Sequence, residues 1–145
     1  VVLWINEQGN NILVDSTGLM QQYITQKDVA VVFADLRGTG ETADKAELND
    51  PKYFSKDYRN AMLALHIGKP LLGQRTQDVF TLLDFISANG KLNKATLDIN
   101  ANGNIGLAAL HASLFRKDIS NLGLSNCIKS YEKRSCRYNS SHFPC

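Results

Sequence analysis

The hydrophobic positions of this chain alternate between short extended runs and stretches with helical spacing. Val29–Ala34 is a continuous apolar run, of the kind that is buried on both faces in a parallel sheet. Three further segments predict strands by their apolar character or alternation: Val1–Ile5, Ala95–Ile99 and Ile119–Leu124. A shorter extended piece is expected at Ile12–Val14.

Helical spacing of apolar residues separates these strands. It predicts helices over Asp57–Ile67, over Gln74–Ser87 before Gly90, and from Gly106 to Phe115. A further helix, capped by Ser16 or Thr17, is expected to run to about Gln26. The alternation favours right-handed crossovers around a mostly parallel sheet. We therefore predict a three-layer α/β/α domain over residues 1–130, followed by an irregular, cysteine-containing tail over residues 131–145.

The segment Ala95–Phe115 is the most informative, because it predicts a strand, a tight turn and a helix in direct succession. In α/β proteins such turns lie at the carboxyl edge of the sheet, where ligands and nucleophiles are placed. A nucleophile elbow has the sequence Gly-x-Ser-x-Gly. Aligning the pattern with the start of the helix places Gly103 at the serine, within the turn Ala101, Asn102, Gly103, Asn104, Ile105 and Gly106. The turn is therefore predicted to be structural or degenerate.

A second turn follows the Val29–Ala34 strand. Gly38 and Gly40, with Ala43, satisfy the Gly-x-Gly-x-x-Ala pattern of dinucleotide-binding turns. The residues after Ala43 are polar, however, and offer little for a helix to bury against the sheet. The alternative is a glycine-permitted structural turn in which Arg37 pairs with a local carboxylate such as Asp35 or Glu41.

Composition limits the partners. The chain has 145 residues and a formal net charge of +2, too small to indicate a nucleic-acid partner. No apolar run approaches the length of about 20 residues that spans a membrane. The three cysteines, Cys127, Cys136 and Cys145, lack the spacing of a zinc site, so no metal is predicted. No other cofactor is predicted either. Because the chain begins on strand-like residues, we expect it to be part of a longer polypeptide with other domains.

Several strings in this chain resemble the α/β-hydrolase superfamily. The two most specific are Arg-Gly-Thr-Gly-Glu-Thr at residues 37–42 and Gly-Lys-Pro-Leu-Leu-Gly-Gln-Arg at residues 68–75, supported by Tyr58–Met62, Asp78 and Asp84-Phe85. Within the superfamily, the chain is most similar to bacterial acetyl xylan esterases and prolyl-oligopeptidase-like hydrolases. The resemblance extends over roughly residues 1–131.

This resemblance implies a site made from two turns. The loop after the first strand would supply an oxyanion-hole amide from among Asn6, Glu7, Gln8 and Gly9, and the elbow would supply a serine at Gly103. It also implies a polysaccharide ester as substrate and a periplasmic or extracellular location. The acid and the histidine of a triad would follow on later strands, for which this chain leaves no room.

The remaining candidate side chains have structural explanations. His66 and His111 lie on predicted helices, where His111 is expected to pack against the sheet and His66 to interact with a helix end. His142 lies in the tail. Ser113 and Ser125 are the nearest hydroxyls after the elbow, but neither has an identifiable base.

Three hypotheses follow. The first is a hydrolase-like domain that lacks a nucleophile and packs with, or positions substrate for, a catalytic domain elsewhere in a longer protein. The second is a segment of an active serine ester hydrolase, completed by the rest of the polypeptide. The third is a nucleotide-binding module that uses Gly38 and Gly40.

Overall fold

A computed structural model describes residues 1–10, 25–26, 28–45, 47, 57–92 and 96–128. Within these ranges four strands form one parallel sheet in the order β2-β1-β3-β4: β1 (Val2–Asn6), β2 (Val31–Ala34), β3 (Leu97–Asn102) and β4 (Ile119–Ser125). The described helices are α1 (Tyr58–His66), α2 (Leu71–Ala88) and α3 (Gly106–Phe115). The parallel sheet with its helices confirms the predicted α/β class, with three-layer architecture.

The register places the apolar side chains of neighbouring strands on one face of the sheet. Leu3 of β1 pairs with Val32 of β2 and with Ile99 of β3. Side chains alternate between faces along a strand, so the residues two positions away join the same face. On β3 the burial alternates strictly, with Leu97, Ile99 and Ala101 buried. This face forms the core.

Helices α2 and α3 cover that apolar face. Val79, Leu83 and Ile86 of α2 belong to the same cluster of buried residues as Leu3 and Ile99. Helix α3 contributes small side chains, Ala108, Ala109 and Ala112, all fully buried. Small residues allow the axis of α3 to lie close to β3 and β4.

One strand differs from the prediction. Val29–Ala34 is expected to be buried on both faces, but β2 begins at Val31, and the Phe33 side chain is 36% exposed. The reason is that β2 lies at an edge of the described sheet, where a strand has only one neighbour. The expected extended piece at residues 12–14 lies outside the described residues. Of the helix expected to run to about Gln26, the structure describes Thr25 and Gln26, and neither is helical.

Helix α2 begins three residues earlier than predicted, at Leu71, directly after Pro70. Proline is compatible with the start of a helix because it needs no N–H donor there. Helix α3 has the predicted bounds, and β4 covers the expected Ile119–Leu124. Strand β3 continues three residues past the predicted end at Ile99, so Ala101 and Asn102, expected in the turn, belong to the strand because they pair with β1 and β4.

Arg116, which directly follows α3, fastens this end of the helix. Its guanidinium pairs with Asp84 of α2 at 2.5 Å and with Asp118 at 2.7 Å. The hydrogen bond from Arg116 holds the pKa of the Asp118 carboxyl below its ordinary value of 3.8. Among the described residues, no helix combines the length and apolar character needed to cross a membrane.

Candidate functional site at the carboxyl edge of the sheet

An open cleft of about 480 Å³ lies at the carboxyl edge of the sheet, above the ends of β1 and β3. Because β1 and β3 are neighbours and run parallel, the turns that follow them lie side by side. The cleft is lined by Asn6, Glu7, Gln8, Asn102, Gly103 and Asn126. The cleft therefore lies between the turn after β1 and the turn after β3, and Asn126, after β4, completes its lining.

The turn after β3 has the predicted strand–turn–helix form. Gly103 stands at its apex with φ of +90°, a left-handed conformation that favours glycine. Its N–H donates to the Ser125 carbonyl at 2.9 Å, and its own carbonyl accepts from Gly106 at 3.0 Å. The chain passes directly from this turn into α3. The residue that the sequence pattern aligns with the elbow serine is thus buried, held by two backbone hydrogen bonds and without a side chain.

The turn after β1 is equally well ordered by hydrogen bonds. Asn6 is 3% exposed, and its Oδ1 accepts from the Gln8 N–H at 3.0 Å while its carbonyl accepts from the Gly9 N–H at 3.1 Å. The Glu7 N–H donates to the Asn102 carbonyl at 3.0 Å, which extends the pairing of β1 with β3 into the turns. An asparagine that bonds its own backbone two residues ahead stabilises such a turn.

Glu7 reaches from the first turn to the second. Its Oε2 accepts a hydrogen bond from the Asn104 N–H at 2.7 Å. A Cβ atom on residue 103 would lie 2.6 Å from the Glu7 Cβ and closer still to this Oε2, well inside van der Waals contact. The carboxylate thus lies directly over the apex, at the amino end of the turn that leads into α3. Negative charge is favourable there, since backbone N–H groups point out of a helix start.

The wall on the side of β4 consists of amides. The Asn102 Oδ1 accepts from the Asn126 Nδ2 at 2.8 Å and from the Ser125 Oγ at 3.1 Å. Asn126 itself has φ of +52°, a conformation that asparagine adopts more readily than most residues. Of the six lining residues, four carry amide side chains and Glu7 alone is ionisable. The cleft can exchange hydrogen bonds with a polar ligand, and its charge is negative.

The predicted oxyanion-loop residues divide into two groups. Asn6, Glu7 and Gln8 line the cleft, whereas Gly9 lies against Gly40 of the neighbouring turn. Of the elbow residues, Asn102 and Gly103 line the cleft and Asn104 contributes its N–H to Glu7. The remaining three, Ala101, Ile105 and Gly106, are buried beneath it.

The turn after β2 forms a separate structural cluster. Asp35 accepts from the N–H groups of Asn10 and Glu41, each at 3.0 Å, and so joins the turns after β1 and β2. The expected pairing of Arg37 with Asp35 or Glu41 is wrong. Arg37 instead binds Asp78 of α2 through Nε and Nη2, at 2.7 and 2.5 Å. The helix passes close to the turn, and the two carboxylate oxygens of Asp78 match the guanidinium fork.

Gly38 and Gly40 do not open an α-helix. Gly40 begins a single 3₁₀ turn, Gly40–Thr42, and Ala43 is already extended. Thr39 and Thr42 both donate their hydroxyls to the Leu36 carbonyl, at 2.7 and 2.8 Å, which closes the turn on itself. A dinucleotide-binding turn needs a helix start at this point to receive the pyrophosphate.

Apart from Ser125, whose hydroxyl bonds to Asn102 at the cleft wall, the other candidate side chains lie away from the cleft. His66 is exposed at the end of α1 with its Nδ1 at 2.7 Å from the Met62 carbonyl, and His111 is half-buried on α3. The Ser113 hydroxyl donates to the Leu110 carbonyl within the same helix. Asp98, in β3, accepts from Asn121 of β4. Within the described ranges, no three His, Cys, Asp or Glu side chains are grouped to hold a metal ion. His142, Cys136 and Cys145 lie outside those ranges.

Two features of the cleft have no signal in the sequence. Asn126 follows β4 and reaches the cleft only because β4 pairs with β3, which no local pattern indicates. The contact of Glu7 with the Asn104 amide joins residues 97 positions apart.

The chain matches no protein-family model and no curated protein. Fold and cleft therefore define the class, an α/β domain with a polar site at the carboxyl edge of its parallel sheet.

Proposed function

We propose that this chain is a non-catalytic domain of the α/β-hydrolase type, which packs with or positions substrate for a catalytic domain of a longer polypeptide. The observation that carries the proposal is Gly103. Gly103 occupies the apex of the turn between β3 and α3, where a hydrolase of this type carries its nucleophile. It has no side chain to react.

The strand order supports the hydrolase type. In these enzymes the oxyanion is bound by the N–H after the nucleophile and by an N–H from the loop after another strand. Here β1 and β3 are adjacent, so the turn at Glu7 lies beside the turn at Gly103. The same juxtaposition would be needed for an oxyanion hole. The sequence strings at residues 37–42 and 68–75 supply the independent resemblance to esterases.

The chemistry of the cleft supports a binding role for a polysaccharide ester. Amide side chains donate and accept hydrogen bonds, which suits a ligand rich in hydroxyl and carbonyl groups. Asn102 and Asn126 are held in place by their mutual hydrogen bond, so part of this surface is organised in advance. The cleft is open, so a chain-like ligand has access to it.

Fluorophosphonate labelling, with the modified residue mapped by mass spectrometry, tests the absence of an activated serine. We expect the folded chain to be labelled no more than a denatured control, and to show no turnover of acetyl esters. Labelling of one serine in the folded sample alone, or ester turnover by a complete polypeptide that depends on this domain's own serine, would show that the domain is an active hydrolase.

The positioning role has a separate test. NMR chemical shifts of the cleft residues are measured during titration with acetylated xylo-oligosaccharides. We expect the largest shifts at Asn102, Gly103 and Asn126, and weaker binding after Asn126→Ala. The control Asn121→Ala, on the neighbouring strand β4 but outside the cleft lining, should leave binding unchanged. Shifts absent from the cleft at millimolar ligand would contradict a substrate-positioning role.

A further inference from the structure

We propose that the Glu7 side chain blocks the apex of the β3 turn, because it occupies the space and the amide hydrogen that a nucleophile and its oxyanion would use. This inference rests on the proposed function, since it takes Gly103 as the nucleophile position. It adds that the inactive state is set by two residues from distant parts of the chain and not by one.

The first step is steric. Any side chain at residue 103 begins with a Cβ, and that atom would lie 2.6 Å from the Glu7 Cβ and closer still to its Oε2. The Glu7 Cβ is fixed to the backbone of the ordered turn after β1, which is held by hydrogen bonds of Asn6 and Asn102. Rotating the carboxylate away therefore does not remove the whole contact. A serine at residue 103 needs Glu7 to change as well.

The second step concerns the hydrogen bond. The N–H of the residue after the nucleophile is one of the two donors that stabilise the oxyanion in α/β-hydrolases. Here that residue is Asn104, and its N–H already donates to the Glu7 Oε2 at 2.7 Å. An acyl oxyanion at this position would have to displace a carboxylate that is tethered to the protein.

The third step concerns charge. Glu7 is the ionisable residue among the six that line the cleft. A carboxylate beside the apex disfavours any second negative charge there, whether an alkoxide, a thiolate or an oxyanion. Cys127 is a second ionisable side chain at the start of α3, with its Sγ 3.5 Å from the position of a Cβ on residue 106. Steric, hydrogen-bond and charge effects of Glu7 thus act together against an acyl-transfer site.

The test places a thiol at the apex and uses it as a probe. The variant Gly103→Cys is compared with the double variants Glu7→Gln/Gly103→Cys and Glu7→Ala/Gly103→Cys. The rate of alkylation by iodoacetamide is measured against pH, and the modified peptide is mapped by mass spectrometry to separate the probe from the three native cysteines. The matched control is Glu41→Gln/Gly103→Cys, which removes a carboxylate from the neighbouring turn after β2.

We expect the pKa of the introduced thiol to fall by about 1 in both Glu7 double variants, because the carboxylate charge is gone. In the Glu7→Ala variant the Asn104 N–H is also released to the thiolate. The limiting rate at high pH should also rise after Glu7→Ala, which removes the side-chain atoms beyond the Cβ, and less after Glu7→Gln, which retains atoms in their place. The Glu41→Gln control should leave the pKa unchanged. A thiol pKa that is the same with and without the Glu7 carboxylate would overturn the inference.

A second measurement applies if Gly103→Cys alone does not fold. The free energies of unfolding in urea are then compared for Gly103→Ala in the native background and in the Glu7→Ala background. The loss caused by Gly103→Ala should be smaller without Glu7, and equal losses would overturn the inference. Fluorophosphonate labelling of the unmodified chain would instead overturn the proposed function, whatever these variants show, so the two failures are distinguishable.

Discussion

At the scale of single residues, the carboxyl edge depends on a very close approach between two turns. A Cβ on residue 9 would lie 3.0 Å from the Gly40 N and closer still to the Gly40 Cα, and both atoms are backbone that cannot rotate away. Asp35 fixes the same crossing by accepting N–H groups from both turns. The cleft turn after β1 is therefore anchored on its far side to the turn after β2.

This crossing predicts a strong effect of Gly9→Ala. Gly9 has φ of +89°, and Gly68 has φ of +68° with no heavy atom within 4 Å of the position that a Cβ would take, so Gly68→Ala is the matched control for the backbone conformation alone. We expect Gly68→Ala to cost about 1 kcal/mol and Gly9→Ala about 3 kcal/mol, because only the latter adds a backbone clash. Urea unfolding measures both, and equal losses would contradict the close approach.

At the scale of elements, Arg75 of α2 connects three parts of the chain. Its guanidinium binds both carboxylate oxygens of Asp57, at 2.8 and 2.9 Å, just before α1, and its Nε donates to the Arg37 carbonyl at 3.0 Å in the turn after β2. The Arg75 side chain is only 11% exposed. Helix α2 therefore positions the turn after β2. That turn supports the cleft because Asp35 binds it to the turn after β1.

We expect Arg75→Gln to destabilise the fold by about 2–3 kcal/mol, since it leaves a partly buried carboxylate and a backbone carbonyl without their donor. The control is Arg59→Gln. Arg59 is 43% exposed, and its Nη1 lies 3.8 Å from the Asp44 Oδ2, too far for a hydrogen bond, so its removal should cost less than about 1 kcal/mol. Thermal and urea unfolding of the two variants provide the comparison, and similar losses would mean that the Arg75 contacts contribute little.

At the scale of the whole molecule, one apolar cluster joins the sheet to α2 and α3. The cluster contains side chains from the strands and helices beneath the cleft, among them Leu3, Leu83 and Ile99, each fully buried. Because the cleft turns are the continuations of β1 and β3, the geometry of the cleft depends on the packing of this cluster beneath it.

Leu83→Ala should accordingly cost about 3 kcal/mol, through lost apolar burial and the cavity left behind. Leu63→Ala is the matched substitution on α1, where the side chain is 54% exposed, and we expect it to cost less than about 1 kcal/mol. Chemical denaturation followed by circular dichroism measures both. A Leu83→Ala loss no larger than that of Leu63→Ala would contradict the position of the core.

Much of the architecture could be predicted because it is encoded locally. Alternation of apolar residues identifies β3, helical spacing identifies α1 and α2, and the glycine and asparagine residues after β3 identify the turn. The absence of a nucleophile at Gly103 is also a local fact, visible in the sequence once the strand–turn–helix unit is recognised. Burial of β2 could not be predicted in this way, because it depends on which strands become its neighbours.

Local sequence patterns are sufficient to establish the α/β class, the order of the described elements and the lack of a hydroxyl at the apex of the β3 turn, because each depends on residues close together in the chain. Three features depend on the three-dimensional fold: Arg37 binds Asp78 and not Asp35, Asn126 joins the cleft, and Glu7 reaches over the apex to the Asn104 N–H. These contacts join residues 41 and 97 positions apart in two of the cases. Strand order and helix packing bring them together, and no local pattern of residues carries that information.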